Sequence, residues 1–423
     1  MKKTNVFILF YGVLMISNAF AFNGITVFND TVLEKNIQSI VFYQTGKINT
    51  YPLIDLNNKN TLTLAFDDLN GGYRSFEYKI IHCNFDWQQS SLAPSDFMEG
   101  IDRGYIENYT FSSNTYVSFT NYFAVVPNDY VNFLLGGNYA MVVYESGNEE
   151  NPVLIRRFYV ISNKVSINAL AKRASLPEFK NTKQEIDIEV NYQFLDVLNP
   201  LMDIKVNIQQ NKRTDNIKTR LQPLFMRDKV LIYDYQTENL FDASSEWRFF
   251  DLRPVKFPGQ GVGKIVLDST FNYYLLTDED RSYLGYAEWK DINGERVLAG
   301  ENKAFRLNEI DYGRVYFSLS TPYPKDEEIY IFGAFSDWKL DNRYKMKFDA
   351  SKNLYKADFF LKQGFYNYYY VIREPETNKI DCVRFQGSHY ETENEYLILV
   401  YALSRFYNEF EIVGSTVINS RNQ

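Results

Sequence analysis

Short runs of alternating, β-branched and aromatic residues, each closed by a turn signal, set the terms on which this chain can fold. Ile40-Val41-Phe42-Tyr43, Thr61-Leu62-Thr63-Leu64-Ala65-Phe66 and Tyr139-Ala140-Met141-Val142-Val143-Tyr144 are such runs, as are Ile186-Asp187-Ile188-Glu189-Val190 and Met202-Asp203-Ile204-Lys205-Val206-Asn207-Ile208. Side chains alternate across a strand, so the last two each predict one wet face and one core face. Asn70-Gly71-Gly72, Gly136-Gly137-Asn138, Pro258-Gly259-Gln260 and Asn293-Gly294 supply turns between runs. Long helical periodicity is absent. Tyr and Phe number 34 each, and such side chains fit the half-buried surface of a pleated sheet. The fold class expected is all-β, built from tandem immunoglobulin-like β-sandwiches.

The chain opens Met1-Lys2-Lys3, runs apolar from Val6 to Ile16 and reaches Ala19-Phe20-Ala21 before a polar stretch. This reads as a secretory signal peptide over residues 1–21, cleaved after Ala21. A buried helix is the ordinary alternative, but no cap or amphipathic pattern frames the segment. The apolar run is shorter than the roughly 20 residues of a membrane-spanning helix. No lipobox cysteine follows, so no lipid anchor is expected. Loss of Lys2 and Lys3 takes the net charge from −8 to −10. That balance opposes binding to nucleic acid and to anionic surfaces. Two cysteines, Cys83 and Cys382, exclude a disulfide-stapled fold and read as isolated buried thiols.

Three domains are expected in the mature chain: residues 22–162, 183–302 and 307–413. A linker over residues 163–182 and a frayed polar tail over residues 414–423 complete the division.

Motifs for catalysis are weak. Asp67-Asp68 with Asp86 could be paired carboxylates, but Asp67-Asp68 precedes Asn70-Gly71-Gly72 and reads as turn chemistry. His82 and Cys83 are neighbours on a strand, so they point to opposite faces and make no dyad. The only other histidine is His389, and no zinc spacing exists. No phosphate-binding glycine loop or hydrolase elbow appears. No catalytic residue, metal or cofactor is expected. An outer-membrane β-barrel would also show short alternating strands, but Asp187 and Glu189 share one face, which is then not lipid-facing.

In the third domain, Ile329-Tyr330-Ile331-Phe332-Gly333-Ala334-Phe335-Ser336-Asp337-Trp338, Met346 and Gly364-Phe365-Tyr366-Asn367-Tyr368-Tyr369-Tyr370 resemble the immunoglobulin-like early-set module that accompanies glycogen-branching and starch-acting enzymes. The resemblance implies a carbohydrate platform on Trp338 and the tyrosines. The ordinary reading puts Trp338 and Met346 in the sandwich core.

Over nearly the whole mature chain, the sequence resembles the plug protein family of the type IX secretion system of Bacteroidetes-type bacteria. The markers are Leu64-Ala65-Phe66-Asp67-Asp68-Leu69, His82-Cys83-Asn84-Phe85-Asp86-Trp87, Ser112-Ser113-Asn114-Thr115, Gly137-Asn138-Tyr139, Gln209-Gln210-Asn211, Glu246-Trp247-Arg248-Phe249-Phe250 and Glu391-Thr392-Glu393-Asn394-Glu395-Tyr396. Gln386 stands where an acidic residue is expected. The resemblance implies a non-catalytic periplasmic protein that docks on the inner mouth of the outer-membrane translocon barrel and occludes it between transport events. It implies no small-molecule substrate and no direct lipid anchor. A Tyr-rich surface would suit such docking. His82, Asn84, Trp87, Asn114, Gln210, Asn211, Arg213 and Arg248 are the candidate partner-facing residues, with packing and turn bonding as their ordinary role. The alternative function is a carbohydrate-binding or carbohydrate-active exported protein.

Overall fold

In the computed structural model, residues 24–301, 306–322, 328–374 and 379–421 are described. The expected signal peptide and its cleavage point at Ala21 lie outside the described residues. Strands dominate; the α-helices among the described residues are the single turns Pro94–Phe97 and Pro200–Asp203. The all-β expectation holds, and the strands build three sandwiches.

In the first, one sheet runs Thr31–Val32, Pro152–Ile161, Gly137–Glu145, Phe76–Cys83, Arg103–Tyr105. The facing sheet runs Ile37–Gln44, Leu62–Asp68, Thr120–Val126, Asn108–Phe111. Alternation sends Leu62, Leu64 and Phe66 inward from one sheet to meet Tyr78, Ile80, Tyr139 and Met141 of the other. The second sandwich packs Ser166–Arg173, Lys183–Asn191, Val230–Tyr233 and Phe225–Arg227 over Lys218–Leu221, Ile204–Gln210, Glu395–Ser404 and Glu409–Asn419. Ile186, Ile188 and Val190 face its core, as their alternation predicts. The third packs Arg248–Asp251, Gly364–Arg373 and Arg296–Leu298 against Val262–Leu267, Phe271–Leu275, Tyr312–Ser320 and Leu354–Lys362.

The linear division of the chain is corrected by this pairing. Strand Arg248–Asp251, assigned to the middle domain, pairs with Gly364–Arg373 and places Phe250 in the third core. Strands Glu395–Ser404 and Glu409–Asn419 return to the second sandwich, where Tyr396, Ile398 and Val400 join Ile204, Val206 and Ile208. The expected linker contains strand Ser166–Arg173, paired with Lys183–Asn191 over its whole length. The expected frayed tail is ordered through Asn419, because Gly414 to Asn419 pair with Val400 to Glu395.

The sandwiches are fastened to one another by side chains that no strand pattern reveals. Leu397, Leu399 and Tyr401, on the opposite face of Glu395–Ser404, pack with Tyr51, Phe85 and Tyr159 of the first sandwich. The Asp67 carboxylate is fully buried against the third sandwich, 2.5 Å from Lys362 Nζ and accepting from Tyr312 Oη at 2.6 Å. Asn121 Nδ2 donates to its other oxygen at 2.7 Å. Burial lowers the Lys362 pKa, and the adjacent Asp67 opposes that shift. Asp67 is therefore an inter-sandwich anchor and not the turn residue expected. Asp68 does cap the turn, accepting from the Asn70 amide at 2.9 Å. Asp311 adds a second tie, accepting from the amides of Tyr116 and Val117 at 2.6 and 3.1 Å.

Removing one member of a buried pair strands the other charge, at a cost of about 3–5 kcal/mol. Lys362→Met and Asp67→Asn are each expected to destabilise the protein by about that amount in urea unfolding, and the double variant by less than the sum of the two. Additive losses would show that the two groups do not act as a pair.

A candidate docking surface on the first sandwich

The chain leaves one sheet of the first sandwich by the edge strand Arg103–Tyr105 and enters the other by the edge strand Asn108–Phe111. Ile106, buried between them, pins the crossing to the core. Both sheets therefore end on the same side of the sandwich, and every residue of Asn108–Phe111 is exposed. The Ser112 amide donates to the Phe119 carbonyl at 2.8 Å. Antiparallel pairs alternate, so the Tyr109 amide and carbonyl point away from the sheet. The Phe111 carbonyl also points outward and accepts from Asn308 Nδ2 at 3.0 Å.

Aromatic rings tile this open side. Tyr73 and Tyr109 lie 4.8 Å apart and Tyr109 and Phe111 5.5 Å apart, and Tyr109 continues to the buried Tyr122 at 5.9 Å. A groove of about 440 Å³ runs alongside, lined by Ile101, Arg103, Tyr105, Glu107, Phe123 and Tyr130 among others. Tyr105 and Tyr130 are 64% and 71% exposed. Gly100, at φ +99°, lets the chain pass close to the Tyr130 backbone: a Cβ there would sit 2.0 Å from the Tyr130 carbonyl oxygen. Five of the exposed tyrosines lie in the first sandwich: Tyr73, Tyr105, Tyr109, Tyr116 and Tyr130.

The expectation of a generally Tyr-rich surface is corrected. Tyr139, Tyr144, Tyr273, Tyr312, Tyr366, Tyr369, Tyr370, Tyr396 and Tyr401 are fully buried. Eight of these nine hydroxyls find acceptors inside: Tyr396 donates to Gln184 Oε1 at 2.6 Å, Tyr401 to Asn138 Oδ1 at 2.9 Å and Tyr370 to Asp278 Oδ2 at 2.8 Å, whereas the Tyr273 hydroxyl accepts from Gln363 Nε2 at 3.4 Å. A buried hydroxyl without a partner would be costly, so these cores are wired as well as packed.

Five of the eight residues expected to face a partner are buried, which corrects that expectation for them. His82 Nδ1 lies 2.8 Å from Ser90 Oγ, and its ring sits against Phe97 and Tyr139. Gln210 donates to the Asp242 carbonyl and accepts from Asn216. Asn211 donates to Asn394 Oδ1 and accepts from the Glu395 amide. Arg213 forks onto Asp215, and Arg248 binds Asp278 and the Glu279 carbonyl. Asn84, Trp87 and Asn114 keep surface exposure. The Asn84 side chain is nevertheless spent on its own turn, accepting from the amides of Asp86 and Gln88. Trp87, at φ +63°, carries the Arg157 guanidinium 4.1 Å over its ring. The structure thus brings Asn84 and Trp87 together, groups Gln210, Asn211 and Arg213 at the end of one strand, and leaves Asn114 and Arg248 apart from both. The open edge was missed because Tyr105, Tyr109 and Tyr130 look like any other strand aromatics; the three-residue strand Arg103–Tyr105 was the available signal.

Both cysteines are free and buried, with thiols pushed up to about 12 by desolvation, far from thiolate chemistry at neutral pH. The acidic group Glu185, Asp187 and Asp234 already holds a cation, Lys172 Nζ, at 3.0 Å from Glu185.

Burial lowers the His82 pKa from 6.5 to about 4. The folded protein keeps His82 neutral while the unfolded chain takes up a proton, so stability is lost as pH falls from 6.5 towards 4. His82→Gln is expected to flatten the stability–pH profile in that window relative to wild type, as read by urea midpoints. Parallel profiles would contradict this.

Residues 37–162 match the family model described as type 9 secretion system plug protein, first domain. No curated protein matches the chain. Among solved structures, the chain is similar to a hypothetical protein from Parabacteroides merdae ATCC 43184. The TM-score is 0.89 at 28% identity, covering 93% of this chain and 99% of that one. The open aromatic edge, between Tyr73 and Tyr130, falls inside the matched segment. Residues 37–162 are thus similar to the first domain of the type 9 secretion system plug family, the family that the sequence resembles.

Proposed function

We propose that the chain is a non-catalytic periplasmic component of the type 9 secretion system, which binds the periplasmic mouth of the outer-membrane translocon and plugs its pore between transport events. The observation that carries this reading is the open aromatic edge of the plug-family domain. Tyr105, Tyr109 and Tyr130 offer large, rigid contact area with a hydroxyl at the tip, the type of side chain that anchors protein interfaces. The outward backbone groups of Tyr109 add a strand edge that a partner can extend. The fastenings between the three sandwiches support the same reading, since a stopper must keep its width under load. The net charge of −8 gives no reason to expect polyanionic partners.

The carbohydrate alternative draws less support. Trp338 is buried at 7% exposure, Met346 lies in the core beneath, and Trp247 stacks on Tyr369 at 3.6 Å within the protein. These rings are turned inward, away from any sugar.

Affinity purification of a tagged chain from its native host in mild detergent is expected to recover one very large outer-membrane protein in near-stoichiometric amount. Combining Tyr105→Ser, Tyr109→Ser and Tyr130→Ser is expected to reduce that recovery at least about tenfold while the melting temperature holds. Recovery of no such protein, or equal recovery by the variant, would contradict the reading.

A further inference from the structure

A row of rings in the first sandwich stops at the edge of its sheet. Phe66 lies opposite Tyr122, and Tyr122 opposite Tyr109, across three successive strands. Residues directly opposite one another share a face of the sheet, so all three rings face the core. Phe66 and Tyr122 stack at 5.4 Å, and Tyr122 and Tyr109 lie 5.9 Å apart. Phe66 and Tyr122 are fully buried, whereas Tyr109, last in the row, is 40% exposed. The backbone beside it is a ladder with one side vacant. Alternation turns the groups of Tyr109 and Phe111 outward, and Ser113 continues the series. The chain itself fills the far end. Asn308, buried in the turn Leu307–Glu309, donates from Nδ2 to the Phe111 carbonyl at 3.0 Å, and its own carbonyl accepts from the Ser113 amide at 3.0 Å. It thus occupies the last two outward positions as a neighbouring strand would. The Tyr109 amide, the Tyr109 carbonyl and the Phe111 amide bond to no described residue.

We propose that an extended, unpaired segment of the docking partner adds here as a fifth strand beside Asn108–Phe111, with an apolar residue opposite Tyr109. The inference rests on the docking reading above and names what the partner presents. Outward amides and carbonyls two residues apart are answered by another extended backbone. Tyr109 exchanges two bonds with the added strand, and the Phe111 amide donates a third. The residue opposite Tyr109 continues the row from Phe66 and Tyr122, so it is aromatic or aliphatic. Its two neighbours turn to the other face, beside the exposed Asn108 and Thr110, and are polar. Asn308 holds the Phe111 carbonyl, so the addition reaches no further than Phe111. A closed barrel wall has no free strand edge, so the segment is a turn, loop or tail outside the wall. A second copy of this chain is the poorer occupant, because each copy carries a net charge of −8.

Phe111→Pro and Phe111→Ala separate the backbone from the ring. Both remove the ring, but only proline removes the outward amide, at an edge position where the inward ladder is untouched. In purification of the full chain from the native host, Phe111→Pro is expected to recover the outer-membrane partner at least about tenfold less well than Phe111→Ala, with the two melting temperatures alike. Hydrogen exchange on the wild-type complex gives a readout that needs no variant. The Tyr109 and Phe111 amides are expected to exchange at least about tenfold more slowly there than in the free protein. Equal recovery by the two variants, or unchanged exchange at both amides, would overturn the strand addition and leave the docking reading standing. Recovery of no partner by wild type would remove the docking reading and this inference with it. A dimer of the purified chain that Phe111→Pro dissolves would assign the edge to a second copy and overturn the proposal too.

Discussion

A strand whose successive side chains enter two different cores cannot shift without disrupting both. Glu395–Ser404 is such a strand. Tyr396, Ile398 and Val400 fill the second sandwich, and Leu397, Leu399 and Tyr401 meet the first. A one-residue slip would exchange the two sets. It would also break the Tyr401 hydroxyl bond to Asn138 and the Tyr396 bond to Gln184. Because strand Glu409–Asn419 pairs along its whole length, the C-terminal hairpin joins the first and second sandwiches.

The third sandwich is held by polar groups instead. Burying an ion pair is costly unless further hydrogen bonds satisfy its members. Asp67 meets that condition with Lys362, Tyr312 and Asn121. Arg156 facing Asp337 and Arg296 donating to the Ile40 carbonyl extend the same seam. The apolar hairpin and the polar seam together make the three sandwiches one scaffold, from which the aromatic edge projects.

What the sequence disclosed follows from the range of each interaction. Alternation and turn signals are local, so the all-β class and the inward set Ile186, Ile188 and Val190 were legible. The Asp68 turn before Asn70-Gly71-Gly72 was also visible in its residue types. Pairing between Ile204–Gln210 and Glu395–Ser404 spans nearly two hundred residues and leaves no local mark, so the domain boundaries went astray. Asp67 next to Asp68 and a glycine turn looked local for the same reason. Seven of the eight residues chosen for docking were polar residues standing among strand runs. Five of them stand there because a buried network requires them. The surface that does carry exposed aromatics was hidden among 34 tyrosines, most of whose burial only the fold decides.

The central claim is that the open edge of the first sandwich meets the translocon. A photo-crosslinking amino acid placed at Tyr105, and separately at the exposed Phe257 of the third sandwich, tests it in the native host. The account predicts a crosslink from position 105 to one very large outer-membrane protein, with position 257 giving none or far less. Equal crosslinking from both positions, or none from position 105, would contradict it.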